Sequence, residues 1–318
     1  MGKITIATFN CENLFQRFKF TAKASPQKVD SAVKNGFIID STLFQRLLDD
    51  EKKLTAKAIA ATGADIVCLQ EVENLDTLKN FASQHLTGKN SYPFKVLIDG
   101  NDPRLIDVAI LSKIPIDSVV THQYTKGSNN KNIFSRDCLE VRFTIGTKPF
   151  SVFINHFKSM LDKSAKSAAQ SRANTAAKRK AQCDAVVTIL KNRFGNNPGS
   201  AAWAVVGDFN DYLDAQTSLS ALTNQAWLEN VVDRLPVAER WTHWWDTTKV
   251  PVAERYKQID YILLSKSLAQ ANKNVKPVIV RSGLPRKAAL YTGARFPGVG
   301  QSKPSASDHC PVAITISI

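Results

Sequence analysis

Hydrophobic and polar positions along this chain follow two rhythms. Short apolar, β-branched runs recur at Ile4–Phe9, Ile66–Leu69, Phe94–Ile98, Val108–Leu111, Leu139–Ile145, Phe150–Ile154, Trp203–Val206, Ile259–Leu264, Val275–Val280 and Pro311–Ile318. Their length and composition predict strands, several of them covered on both faces. Between them the period lengthens to that of a helix. In "DDEKKLTAKAIAATG", Leu54, Ala58 and Ile59 share a face and Gly63 supplies a stop. "NLDTLKNFASQHLTG" groups Leu75, Leu78, Phe81 and Ala82 and ends at Gly88. "SRANTAAKRKAQCDAVVTILKNRFG" predicts a long Ala-rich helix with Val186, Ile189 and Leu190 inward and Gly195 after it. Strands and helices mix in similar measure, and the later strands follow one another closely, as hairpins do. Pure βαβ winding is therefore disfavoured. The pattern predicts one α/β domain over residues 1–318, with packed sheets and helices outside. Residues 16–50 are long, polar and weakly periodic, and are expected to be an insertion near the mouth of a site. "RKAALYTGARFPGVGQSKPSAS" is a second irregular stretch, rich in Gly, Pro and Ser.

Composition narrows the classes. The 318 residues are 43% hydrophobic and 22% charged, an ordinary globular balance. No run approaches the length of a membrane span. The opening "MGKITIATFN" alternates like a strand and shows no leader, and Ile6 stands where a myristoylation motif needs Ser or Thr. The compartment stays open between the cytoplasm and secretion after loss of a leader. Five cysteines (Cys11, Cys68, Cys138, Cys183 and Cys310) form no CxxC pair, so small buried thiols are expected rather than disulfides or zinc. The net charge of +14 is clustered: no acid falls between Asp260 and Asp308, and only Asp162 and Asp184 oppose the bases from Lys158 to Arg193. Such fields concentrate polyanions, nucleic acid first among them; a generally basic surface and attraction to an acidic membrane remain the other readings.

Candidate chemistry sits where apolar runs end. Asn10 follows "ITIATF", Glu71 follows "DIVCLQ", and Asn155 and His156 follow "FSVFI". Asp208 and Asn210 follow "WAVVG", Asp260 lies within "QIDYILL", and Asp308 and His309 precede "CPVAITISI". Any one of these is explained as a strand stop. Together they form an oxygen-rich donor set without thiols, joined by two histidines. Hard oxygens suit Mg²⁺, Mn²⁺ or Ca²⁺ rather than Zn²⁺, and the histidines add acid–base capacity. On an extended chain Asp208 and Asn210 point the same way and Phe209 points into the core. Asp211, adjacent to Asn210, is read as loop chemistry rather than catalysis.

In this order, "TFNCENLF", "LQEVEN", "INHFKS", "VVGDFND", "QIDYILLS" and "SDHCPV" resemble the endonuclease/exonuclease/phosphatase superfamily, which includes pancreatic deoxyribonuclease and the abasic-site endonucleases. The resemblance spans nearly the whole chain, and "ATFNCENLF" with "HFKSM" is similar to bacterial extracellular-type nuclease domains. It implies a four-layer α/β/β/α sandwich, two packed mixed β-sheets flanked by helices. It implies a metal, Mg²⁺ with Mn²⁺ or Ca²⁺ as alternatives, held mainly by Glu71 and Asn10 with help from Asp308. By the same resemblance Asp208 orients or deprotonates the attacking water and Asn210 holds a phosphate oxygen. Asp260 pairs with His309, which stabilises charge or handles a proton near the scissile phosphate. His156 matches a second histidine of the deoxyribonuclease branch, a candidate acid for the leaving oxygen. Arg136 stands where that branch has a phosphate-binding arginine, and a surface strand charge is the equal alternative.

Other residues invite weaker readings. Trp241, His243, Trp244 and Trp245 could stack on bases, though such aromatics are more often core. Arg172, Lys178, Arg179 and Lys180 on the basic helix could track a phosphate backbone or line a solvated face, and Lys158 beside His156 shares that ambiguity. The leading expectation is a divalent-metal-dependent nuclease acting on DNA, with RNA as a further substrate, cutting internally with low sequence specificity. A phosphatase or phosphodiesterase on an inositol phosphate or sphingomyelin-type lipid is the alternative, and a non-catalytic nucleic-acid binder is a third. A monomer without a stable protein partner is expected.

Overall fold

The computed structural model describes residues 2–23, 36–39, 42–46 and 48–318. Two six-stranded sheets form its centre. The first runs, in spatial order, Val278–Ile279, Val312–Ser317, Lys3–Leu14, Ile66–Val72, Asp107–Ser112 and Phe94–Leu97. The second runs Leu228–Asn230, Asp260–Ser265, Trp203–Asp208, Lys148–His156, Cys138–Ile145 and Ser118–Val120. Each is antiparallel except for one central parallel pair, Lys3–Leu14 with Ile66–Val72 in the first and Lys148–His156 with Trp203–Asp208 in the second.

Strand alternation explains why both faces of these runs are apolar. Ile4, Ile6, Cys68, Val108 and Ile110 meet Val141, Val152, Ile154, Val206 and Ile262 between the sheets. On the far side of the first sheet, Ala7, Phe9, Val67 and Leu69 receive the helices Asp49–Ala61 and Leu75–His85. On the far side of the second, Phe153, Trp203, Val205 and Leu263 receive Cys183, Val186 and Leu190 of the helix Ala168–Phe194. The result is the expected α/β/β/α sandwich. Gly63 and Gly195 follow the first and last of these helices with φ of 62° and 77°, a geometry glycine adopts without a Cβ penalty. All five cysteines are free and buried.

Departures from the sequence pattern have local causes. The run Val275–Val280 pairs only over Val278–Ile279, because Pro277 brings no N–H to a ladder. Four further strands, Ser118–Val120, Leu228–Asn230, His243–Trp244 and Tyr256–Lys257, span two or three residues each, too few to show a period. Within residues 16–50 the described strands Phe18–Thr21, Gly36–Ile39 and Thr42–Arg46 make a separate three-stranded sheet. Part of that segment lies outside the described residues. Its root is tied down by Glu73, which accepts from the Gln16 amide at 2.9 Å and pairs with Arg17.

The basic helix turns Arg172 and Arg179 inward. Arg172 donates to Asp211 at 2.6 Å and to Asp214, and Arg179 lies 3.4 Å from the other Asp211 oxygen. Asp211 and Arg179 are both 0% exposed. The phosphate-tracking reading of Arg172 and Arg179 is thereby corrected: these side chains point inward and brace the loop that follows Asp208. Lys178 donates to the Asn132 carbonyl and Lys180 to Asp184. Asp211, read as loop chemistry, is a buried anchor with two guanidiniums and Ser218 around it.

Asp211→Ala leaves a buried guanidinium unpaired, and should lower unfolding free energy by about 3–5 kcal/mol in chemical denaturation. An unchanged midpoint would show that the arginines find other partners. Gly207 makes a second prediction. Its φ is 140°, and a Cβ there would lie 1.8 Å from the Asn155 carbonyl oxygen across the parallel pair. Gly207→Ala should therefore part the two strands, lowering the thermal midpoint and displacing Asp208; a crystal structure of the variant superimposing on the parent at Asp208 would refute this.

Candidate active site

Both parallel pairs end on the same side of the sandwich. In the second sheet His156 stands beside Asp208, and Asp208 beside Asp260, in direct register. In the first, Asn10 stands beside Gln70, and the ladder becomes irregular just beyond it. Gln70 turns to Thr8 at 3.1 Å, while Glu71, with φ of 62°, leaves the regular pairing. Such a bulge re-aims a side chain at a strand end. The Glu71 carboxylate then lies 3.3 Å from Asn10 Nδ2 and 3.8 Å from His156 Nε2.

Asp208 joins the two sheets. Its Oδ2 accepts from Asn10 Nδ2 at 3.0 Å and Asn210 Nδ2 at 2.8 Å, and its Oδ1 accepts from the Asn210 amide at 2.8 Å. The imidazole Nε2 atoms of His156 and His309 lie 3.5 and 3.9 Å from the same carboxylate. Burial, with the charge of Asp260 nearby, pushes the Asp208 carboxyl up to about 7 even though His309 pulls the other way. Phe209 is buried, stacked between Phe157 and Tyr261 at 4.7 and 4.8 Å. Asn210 returns to Asp208 through a left-handed turn, φ 53°, not along an extended chain. Its Nδ2 also meets the Phe157 carbonyl at 3.2 Å.

His309 Nδ1 contacts both oxygens of Asp260 at 3.0 and 3.1 Å, and Thr242 Oγ1 donates to Asp260 at 2.6 Å. Burial would neutralise this imidazole, but the Asp260 carboxylate, with Asp208 and Asp308 beyond, raises its pKa well above the ordinary value. His156 is the opposite case. Burial and the positive charge of Arg136 hold it well below the usual histidine range, and among the described residues its buried Nδ1 has no hydrogen-bond partner. Asp308 is partly exposed, its side chain 38% accessible; desolvation pulls its carboxyl upward, but the His243 hydrogen bond and the His309 charge outweigh it and hold the group below the usual range.

Several residues differ from their expected placement. Arg136 is 1% exposed, so it is no surface strand charge. It donates to Asp102 at 3.2 Å and to the Phe157 carbonyl at 2.8 Å, behind Asp208 and Asn210. Trp241 and Trp244 pack with Tyr256, Leu284 and Cys310, leaving only Trp245 of the three exposed. Base stacking by Trp241 and Trp244 is corrected accordingly. His243, grouped with the tryptophans as a stacking residue, instead belongs to the polar cluster: its Nε2 lies 3.5 Å from Asp308 and its ring 4.6 Å from that of His309. Glu12, which went unrecognised, accepts from the Asp308 amide at 3.0 Å and from Lys303 at 2.8 Å. The sequence clue was the polar pair Thr242–His243 set between tryptophans. A groove of about 980 Å³ between the helix Ala168–Phe194 and the loop around Lys126–Asn132 is separate, and none of these site residues lines it.

The model of the endonuclease/exonuclease/phosphatase family matches residues 7–309. The chain belongs to this family. Members of the endonuclease/exonuclease/phosphatase family hydrolyse phosphoester bonds, generally with a divalent metal. Solved structures share the fold at low identity. An endonuclease/exonuclease/phosphatase from Bacteroides vulgatus is 15% identical, with a TM-score of 0.60 and 100% of both chains covered. D. rerio TDP2, complexed with a single strand DNA product, is 15% identical, with a TM-score of 0.57 and 99% of each chain covered. The mannosyl-6-phosphatase of Bacteroides thetaiotaomicron is 17% identical, with a TM-score of 0.57, covering 99% of this chain and 100% of its own. No curated protein sequence matches the chain. Among the described residues no helix is long and apolar enough to cross a membrane.

The donor set of this family member fits a hard divalent cation. Glu71, Asp208, Asp260 and Asp308 bring four carboxylates to one end of the sandwich, against one imidazole held protonated. Among the described residues two compact groups, Asp208–Asp260–His309 and His243–Asp308–His309, have ligand atoms within 4.8 Å of one another. Glu71 lies outside both, beside Asn10. The Asn10 Oδ1 accepts from the Glu12 amide at 3.0 Å, which leaves a second lone pair for a cation.

Because its folded pKa is raised, the His309 imidazolium should stabilise the fold fully below about pH 6.5, and lose that contribution as pH rises through the folded value. In metal-free protein, Asp260→Asn should move the His309 titration, followed by NMR, to lower pH. No movement would show that Asp260 does not hold the charge.

Proposed function

We propose that this chain is a divalent-metal-dependent phosphodiesterase that hydrolyses DNA internally with low sequence specificity. The observation carrying this reading is the environment of Asp208. A buried carboxylate held by the Asn10 and Asn210 amides, with the His156 and His309 Nε2 atoms 3.5 and 3.9 Å away, is suited to take a proton from water. The net charge of +14 supports a polyanionic substrate.

Glu71, Asn10 and Asp308 would hold the ion, which supplies charge neutralisation at the phosphoryl oxygens. The chain's own residues do the rest. Asp208 orients the water and accepts its proton as attack proceeds. His309, kept protonated by Asp260, donates to a phosphoryl oxygen as negative charge develops on it, or to the leaving oxygen. His156, held neutral, serves as an N–H donor rather than as the acid, a role for which its environment is poorly suited. Asn210 already orients Asp208, and binds a phosphate oxygen only by releasing the Phe157 carbonyl. Arg136 positions that carbonyl from behind.

Purified protein should nick supercoiled plasmid with Mg²⁺ or Mn²⁺ and be silent in chelator. Asp208→Ala and His309→Ala, folded by circular dichroism, should each lose roughly 10²–10⁴-fold in turnover. Near-normal turnover in Asp208→Ala would remove the proposed base. Resistance of circular DNA while linear DNA disappears would replace internal cutting with exonuclease action. Preference for an inositol phosphate or sphingomyelin over plasmid in matched assays would replace the nuclease reading with a small- or lipid-phosphate one.

A further inference from the structure

The charges around the strand-end cluster are divided. Acids gather at Glu71, Asp208, Asp260 and Asp308, while Arg104, Arg136 and Lys158 lie on one flank, with Asp99 and Asp102 among them. Arg104 stands on that loop. Its Nε and one terminal nitrogen clasp the Asp102 carboxylate at 3.0 and 2.9 Å, and its backbone amide meets the same carboxylate at 3.0 Å. Asp102 is buried, and also accepts from Arg136 at 3.2 Å. One carboxylate thus hydrogen-bonds two guanidiniums, and Glu71 acts on both only through space.

The Arg104 side chain is 61% exposed despite being clamped, and among the described residues its NH1 has no hydrogen-bond partner. It is a guanidinium fixed in orientation with an open edge, the arrangement that binds a phosphate with little loss of side-chain freedom. The clamp connects to the site: Arg136 donates to the Phe157 carbonyl at 2.8 Å, which also receives Asn210. Lys158 follows Phe157, half-buried, with its ammonium 3.2 Å from the Leu161 carbonyl. Burial, then the charges of Arg136 and Arg104, push its pKa down. The positive charge of Arg104 also reaches His156. Crowded like charges repel, and a bound anion relieves that repulsion. Leu105 next to Arg104 is half-exposed at φ 55°, a bulky apolar side chain set at the rim in a backbone conformation it disfavours.

We propose that Arg104, positioned by Asp102 and assisted by Lys158, forms a second phosphate subsite that takes the phosphate next to the scissile one, with Leu105 against the intervening sugar. The preferred substrate then carries at least two consecutive phosphates, as an oligonucleotide does and an isolated sugar monophosphate does not. This rests on the nucleic-acid reading above and gives it a specificity determinant.

Three thymidine dinucleotides test it: unmodified, 5′-phosphorylated and 3′-phosphorylated. The wild type should favour one phosphorylated form over the unmodified one by on the order of tenfold or more in kcat/KM, mainly through KM. In Arg104→Ala that ratio should fall to about one, with Arg104→Lys intermediate. Calorimetric binding of the same three compounds in chelator reads the subsite without turnover. A wild-type preference there that Arg104→Ala abolishes supports the subsite even if no dinucleotide is cleaved, an outcome that would count against the nuclease reading alone. Equal preference for all three compounds in the wild type, or a preference that survives Arg104→Ala, overturns the subsite.

Discussion

A 3.0 Å hydrogen bond from Asn10 to Asp208 ties the first sheet to the second at the one end where their apolar interface gives way to polar side chains. A carboxylate buried there is costly unless the protein replaces its water. The replacement comes from residues on separate strands, so the site exists only when both sheets are packed in this register. The Asn10 amide and His309, which leads into Val312–Ser317, arrive from the first sheet; Asn210, His156 and Asp260 arrive from the second sheet and its neighbouring chain. The interface of Ile6, Val206 and Ile262 below is what fixes these donors relative to one another.

That constraint explains where the backbone departs from regularity. Glu71 and Asn210 sit at φ of 62° and 53°, conformations that side-chain-bearing residues adopt rarely, and both lie at the polar cluster. Gly207 allows the Asn155 carbonyl to pass where no Cβ fits. Local strain of this kind persists where the surroundings over-determine it. Here the stacked Phe157–Phe209–Tyr261 rings and the buried Arg172–Asp211–Arg179 group brace the turn on its far side. The residues after Asp208 divide the work between them: Asn210 faces the site, and Asp211 faces the scaffold.

Much of this was legible in the sequence because it follows from period. Strands such as Trp203–Asp208 and helices such as Asp49–Ala61 bury what their alternation says they bury, and the polar strand ends mark one end of the sandwich. What was hidden depends on partners distant in the chain. Arg172 and Arg179 look like solvated helix charges until Asp211, more than thirty positions on, is placed beside them. His243 is submerged among tryptophans, and only its bridge to His309 brings it to Asp308. Arg136 is buried by a carboxylate on another loop, Asp102, which no local pattern announces.

The same separation of partners gives the site its electrostatic direction. His309 and His156 are chemically identical side chains facing one carboxylate, yet their neighbours drive them apart. Asp260 supplies negative charge behind His309, and Arg136 supplies positive charge near His156. A proton is therefore stored on one side of Asp208 and excluded from the other. Burial is the main cause of that exclusion and Arg136 adds to it, while sharing Asp102 with Arg104 at the rim. The acid–base polarity of the centre thus draws on burial and on Asp260 as well as on Arg136, and through the shared Asp102 its neutral side is coupled to the cationic edge.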